Sequence, residues 1–380
     1  MSTLKVTTIN DEFGGSAAVL YGVASPPNSM GFRNRIINGS MVIDQRNAGA
    51  SVTVNSTTAA YPVDRWFGRG AATAGVFTLQ QVSDAPAGFK NSMKTTVTTT
   101  AASPGATDFY GVQHRIEGYN IADLGYGTAS SQAVTVSFWV KSSVTGTFSV
   151  ALSNNNDQTI PVTFVVNAAN TWEQKTVTVA GTSTGTWDST NGTGLLVLFT
   201  LGAGSSRTGT AGAWSSSFFI NATGSTNLMA TSGATFYITG VQLEAGSVAS
   251  PFERRDYGRE LMMCQRYYEK SFPQGIAPAN GGSSTTLATA DGSVSGMAQN
   301  RIGAGPTTQF KVPKRAIPTM TKYGNSSGDW IYALQNSSAL VGNANSGLGR
   351  VSESAFTADQ QIVDGTAIFV IGHWTASAEL

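Results

Sequence analysis

Two histidines, His114 and His373, and one cysteine, Cys264, are the only residues of those types in the chain. The histidines stand far apart, and neither has a Cys or a second His at metal-ligand spacing. His373, between Gly372 and Trp374, reads as a packing or edge residue of a terminal strand. Cys264 falls on an apolar helical face and reads as core rather than nucleophile. No nucleophile elbow, Walker loop or Gly-rich dinucleotide turn occurs. Glycosidic hydrolysis needs only two carboxylates. Asp64, Asp84, Asp108, Glu117, Asp123, Asp157, Glu173, Asp188 and Glu244 are spread over the central region, and no pair among them stands out. They read as solvated loop and turn residues, and no catalytic residue is assigned.

Aromatic residues offer binding instead. A saccharide presents apolar C–H faces that stack on Trp and Tyr, while its hydroxyls need polar partners. Trp139 sits on the outward parity of a clean strand, beside Thr135 and Ser137. An exposed indole is usually covered, whether by a sugar ring, a loop or a neighbouring subunit. Tyr323, Trp330 and Tyr332 form a second group, with Asn325, Ser326 and Asn336 close by. The run GNSSGD (324–329) reads as the turn that carries them. Trp330 and Tyr332 share one strand parity, so the core is their other destination.

The elements that must hold these residues are strands. Charged residues make up 12% of the 380, Gly numbers 43, and 41% of the chain is hydrophobic. That composition suits many short strands joined by tight turns. The length suggests two or three domains. A net charge of +1 gives no pull toward nucleic acid or an anionic membrane. One cysteine excludes an intrachain disulfide. The opening residues do not read as a signal peptide, and no apolar run approaches the ~18 residues of a membrane span.

In VTVSFWVKSS (134–143), Val134, Val136, Phe138 and Val140 face one way and Trp139 and Lys141 the other. Val177 and Val179 point inward from TWEQKTVTVAG (171–181), and GLLVLFTLG (194–202) suits a strand covered on both faces. In FYITGVQLEAG (236–246), Phe236 and Ile238 differ in parity from Val241 and Leu243. A one-residue bulge at Gly240 returns all four to the core. Residues 1–32 form a separate segment with one strand at 4–11. Residues 33–255 form a β-sandwich, 256–272 a short connecting helix capped by Asp256, and 273–380 a second, C-terminal β-sandwich domain. Leu261, Cys264 and Tyr268 fall on one face of that helix, which we assign to an oligomer contact. No fixed-period repeat is present.

Several segments together resemble bacteriophage tail-fibre proteins. RNRIINGSMVIDQRNAG (33–49) and YPVDRWFG (61–68) are similar to the opening of their β-sandwich. FYITGVQLEAGSVASPFERRDYGRELMMCQRYYEK (236–270) is similar to its end and the following helix. GHWTASAEL (372–380) is similar to the last strand of their C-terminal domain, and STLKVTTIND (2–11) to virion-attachment segments of cyanophage fibres. The loops at roughly 70–130 and 275–305 carry no match.

The resemblance implies an all-β, jelly-roll-like sandwich akin to carbohydrate-binding modules. It implies a structural calcium flanked by Asn38 and Glu244, although TGVQLE (239–244) lacks the paired aspartates of stronger sites. No other cofactor or metal is expected. It further implies a homotrimer on the virion exterior, made in the host cytoplasm. The N-terminal segment would join other virion proteins, and the C-terminal domain would be a host-facing tip on bacterial surface polysaccharide. No nucleic acid and no membrane insertion are expected. A capsid decoration or head-fibre protein that stabilises the shell is the alternative. A polysaccharide depolymerase would need a carboxylate cleft and usually a long repetitive β-helix.

Overall fold

Alternation between core and solvent writes fourteen strands into the first two thirds of the chain. A computed structural model describes residues 33–71, 74–154, 158–280, 296–297, 307–324, 330–334, 340–343, 347–359 and 367–380. The strand expected at 4–11 and the turn residues Asn325, Ser326 and Asn336 lie outside these. The first strands are β1 Val52–Val54, β2 Ala60–Val63, β3 Trp66–Ala71, β4 Val76–Val82, β5 Ser92–Thr99, β6 Phe109–Glu117 and β7 Val134–Ser142. Then come β8 Gly146–Ser153, β9 Thr159–Val166, β10 Glu173–Val179, β11 Thr193–Ala203, β12 Thr208–Gly209, β13 Asn221–Ala222 and β14 Thr235–Ala245.

Two six-stranded sheets result, ordered β1-β4-β5-β14-β7-β10 and β2-β3-β6-β11-β8-β9. Every pairing within them is antiparallel. The chain is an all-β sandwich. Its core lies between the sheets and includes Trp66, Phe77, Phe138, Phe148, Phe199 and Phe236, all essentially inaccessible to water. Each such ring contributes about 1.5–3 kcal/mol of transfer free energy. On β11, Leu195, Val197, Phe199 and Leu201 enter this core. Leu196 and Leu198 face a smaller cluster with Phe109, Ala151 and Ile220, so β11 is covered on both faces as its apolar run predicts.

The bulge expected in β14 is present. Its register against β7 shifts between Thr239 and Gln242, and Gly240 has φ +59°. Phe236, Ile238, Val241 and Leu243 all reach the core. Glycine is required here for the left-handed backbone and for a close approach. A Cβ would stand 2.6 Å from the Phe89 ring and 3.1 Å from Trp139.

After the sandwich, Asp256 caps helix α1 (Tyr257–Gln265) by accepting from the Arg259 N–H at 2.9 Å. The helix ends seven residues before the expected Phe272. Tyr268–Lys270 instead forms β15, paired with the terminal strand β24 (His373–Ser377). Between them run β16 Gly296–Met297, β17 Thr307–Gln309, β18 Thr319–Tyr323, β19 Trp330–Leu334, β20 Leu340–Asn343, β21 Gly347–Gly349, β22 Ala355–Asp359 and β23 Ala367–Ile371. They build three small sheets, β15-β24-β18, β16-β23-β19-β20 and β17-β22-β21. Phe310, Phe356, Trp374 and Ala376 form a core there. Residues 34–380 cluster as one compact unit. No helix among the described residues is long and apolar enough to cross a membrane.

The helix face assigned to an oligomer contact needs correction. Cys264 is fully buried with Ile37, Ile43 and Tyr267, and Leu261 packs against that cluster. Tyr268 is also buried. A single chain spends this face on itself, which leaves Tyr257 and Met262 as the exposed large apolar residues of α1, each 53% accessible.

Candidate functional site

Trp139 stands half-buried on the outer face of β7, its ring and that of Phe89 both closing on Gly240. Phe89, from the loop before β5, thus stands at the same glycine as the indole. Tyr323 lies in a different sheet, at the end of β18, with its ring edge-on to Phe272 at 5.4 Å. Trp330 and Tyr332 lie on β19, opposite Asn343 and Val341 of β20. Their side chains are outside the described set.

The most developed outward-facing constellation is half-buried and joins residues that no single stretch of sequence brings together. On β4, Leu79 goes into the core and Gln80 outward. On β5 Met93 goes in and Lys94 out. On β14 Phe236 and Ile238 go in and Tyr237 out, and on β7 Phe138 and Val140 go in and Lys141 out. The register places these outward residues side by side. Gln80 faces Lys94, Lys94 faces Tyr237, and Tyr237 faces Lys141. Trp172, one residue before β10, closes the row. The Lys141 ammonium lies 4.3 Å from the centre of the Tyr237 ring and 5.2 Å from Trp172. Lys94 approaches Tyr237 from the other side at 5.8 Å. The two rings meet edge-on at 6.1 Å. Asp84 pairs with Lys141 and accepts from the Trp172 indole N–H at 3.2 Å. The Lys141 hydrogen bond holds the Asp84 carboxyl below its ordinary range.

Phe89 joins this face to a cleft of about 260 Å³, whose lining includes Asn34, Ser40, Lys90, Phe252, Arg254 and Tyr257. Phe89 and Phe252 meet edge-on at 5.2 Å, and the Arg254 guanidinium lies 4.9 Å over Phe89. The cleft wall at Gly39 and the turn beside it are closely packed. Asn38 adopts φ +58°, and at Gly39 a Cβ would lie 2.1 Å from the Val241 carbonyl. Glu253 accepts from the Asn34 N–H at 2.6 Å, Glu260 accepts from the Asn38 N–H, and Arg255 reaches both carboxylates.

Asn38 and Glu244 do not fit a calcium ion held between them. The Asn38 side chain closes its own turn, accepting from the Ile43 N–H and donating to the Ile43 and Asp64 carbonyls. Both Glu244 oxygens accept from Ser250, and Gln242 donates to one of them. Each residue serves a different turn, with its oxygens already on N–H and O–H donors. No group of three metal-ligating side chains occurs among the described residues.

Other candidate carboxylates have structural partners. Asp64 meets Gln45 and Arg46, Asp123 meets Arg35, Glu173 meets Lys175, and Asp188 accepts from Thr190. Asp157 lies outside the described residues. His114 is fully buried against Trp66, and burial holds its imidazole well below its ordinary pKa. His373 stacks on Phe272 at 4.1 Å, with Nδ1 2.9 Å from the Ser271 hydroxyl. Burial also pushes the Cys264 thiol well up, which suits packing rather than reactivity.

No family model and no curated protein matches the chain. Among solved structures, it is similar to the enzymatically active domain of tailspike protein 4 of bacteriophage CBA120, at 12% identity and a TM-score of 0.29. That likeness covers 56% of this chain and only 21% of the tailspike domain. A family 11 carbohydrate-binding module from Clostridium thermocellum is similar at 10% identity and a TM-score of 0.28, over 53% of this chain and 98% of the module. A xylan-binding domain from Paenibacillus barcinonensis is similar at 13% identity and a TM-score of 0.23, over 53% of this chain and 99% of the domain.

Proposed function

We propose that the chain is a non-catalytic, saccharide-binding β-sandwich protein: a fibre or receptor-binding component on the exterior of a phage particle. It attaches to bacterial surface polysaccharide as a homotrimer, with residues 1–32 joined to other virion proteins. The resemblance of its sequence landmarks to tail fibres supports the virion assignment. One structural observation carries the binding role, the Lys94–Tyr237–Lys141–Trp172 row. Tyr237 on β14 and Trp172 just before β10 offer stacking surface for sugar C–H faces. The ammonium, amide and carboxylate groups beside them meet hydroxyls.

The double variant Trp172→Ala/Tyr237→Ala tests this by affinity electrophoresis in host-envelope polysaccharide. Affinity falls about a hundredfold, and bound polysaccharide is recovered unshortened. Undiminished binding by that variant, with loss on Trp330→Ala instead, would move the contact into residues 273–380. Light scattering of the purified protein gives a mass three times that of one 39.5 kDa chain. A mass near a single chain at micromolar concentration rejects the trimer.

A further inference from the structure

We infer that the ligand of this face is an acidic polysaccharide, one bearing carboxylates such as uronic acids, bound along a track from Trp172 to the cleft at Phe252. The inference rests on the saccharide-binding reading above and adds the charge and length of the ligand.

Charge is the first ground. The whole chain is nearly balanced, with 23 basic and 22 acidic side chains. The track is not. Lys94 and Lys141 flank Tyr237 on both sides, and Lys90 and Arg254 stand at the cleft. Asp84 pairs directly with Lys141, and its charge also reaches Lys94. Among the described residues, Lys90, Lys94 and Arg254 have no carboxylate in ion-pair contact. The acids of the cleft, Glu253 and Glu260, are already held by Arg255 and by the Asn34 and Asn38 N–H groups. A neutral sugar brings no carboxylate into contact with these cations, whereas a uronate places a carboxylate beside each ring it stacks on.

Continuity is the second ground. Phe89 links the two parts of the track, since its ring pairs with Phe252 and shares the space over Gly240 with Trp139, two residues from Lys141 on the outer face of β7. A single sugar ring covers one row of the sheet, but a surface with aromatic rings at Trp172, Tyr237, Phe89 and Phe252 matches an extended chain.

Titration calorimetry with polygalacturonate, alginate and neutral dextran decides the point. The acidic polymers bind, dextran binds at least about tenfold more weakly, and raising salt weakens only the acidic ones. Lys94→Gln/Lys141→Gln lowers uronate affinity about tenfold and flattens its salt dependence, while Lys94→Arg/Lys141→Arg preserves both. Lys90→Gln/Arg254→Gln weakens long oligogalacturonates but not a trimer. Thermal unfolding of each variant confirms its fold. Equal affinity for dextran and uronate, unchanged by the glutamine variants, overturns the inference and leaves saccharide binding standing. Absence of binding to the acidic polymers, to dextran and to host-envelope polysaccharide rejects both.

Discussion

Lys314→Ala is expected to cost about 3–5 kcal/mol of stability, the range for removing one partner of a buried ion pair. Lys314 and Glu269 are essentially inaccessible to water, with ammonium and carboxylate 2.6 Å apart. All three ammonium protons are placed, toward Glu269, the Gln265 carbonyl and the Val312 carbonyl. Burial draws Lys314 below the ordinary lysine range and Glu269 pulls it back. Alanine would leave the Glu269 carboxylate facing only the Lys311 N–H, in a site closed to water. Glu269 sits in β15, so the loss should free β15 from β24. Urea unfolding measures the cost, and hydrogen exchange at 268–270 shows where it falls. Lys314→Met/Glu269→Leu should recover most of the stability, because a matched apolar pair carries no stranded charge. A single variant as stable as the parent would show that water reaches the pair.

The same buried chemistry explains what the sequence could and could not reveal. Parity placed Val134, Val136, Phe138 and Val140 in the core, and a parity switch located the bulge at Gly240, because both are properties of one strand. The Asp256 cap was legible for the same local reason. The row of Lys94, Lys141, Trp172 and Tyr237 was not. Its members come from four separate stretches and meet only through the register of β5, β14 and β7. Strand parity points Lys141 outward, but nothing local tells an outward lysine which ring it will face. The sequence pattern carries the helix past Gln265 because Tyr267 and Tyr268 continue its apolar spacing. What ends it is tertiary, the pairing of β15 with β24 and the capture of Arg266 and Tyr267 by Glu117. Composition also hid the buried charges. With 12% charged residues, each reads as a surface residue, yet Arg65 and Glu379 pair in the interior where the chain's last residues return to the sandwich.

Glu117→Gln should lower stability by about 2–3 kcal/mol at neutral pH, with an effect that fades in acid. Glu117 ends β6 almost wholly buried and accepts from Arg266 Nε at 2.8 Å, Arg266 Nη2 at 2.6 Å and the Tyr267 hydroxyl at 2.6 Å. The effect is smaller than at Lys314 because a third of the Arg266 side chain is in water, which screens its share. Burial by itself would raise the carboxyl, but the Arg266 and Tyr267 hydrogen bonds outweigh it and leave Glu117 below its ordinary value of 4.5. The folded protein thus holds the ionised form more tightly than the unfolded chain does. Its contribution is complete above about pH 4.5 and is lost as pH falls through the folded value. Glutamine cannot ionise, so it never makes that contribution. Urea unfolding of the parent and the variant should give curves well separated at pH 7 that converge on acidification. Curves that stay parallel down to about pH 3 would mean that Glu117 is not the titrating tie between β6 and the helix end.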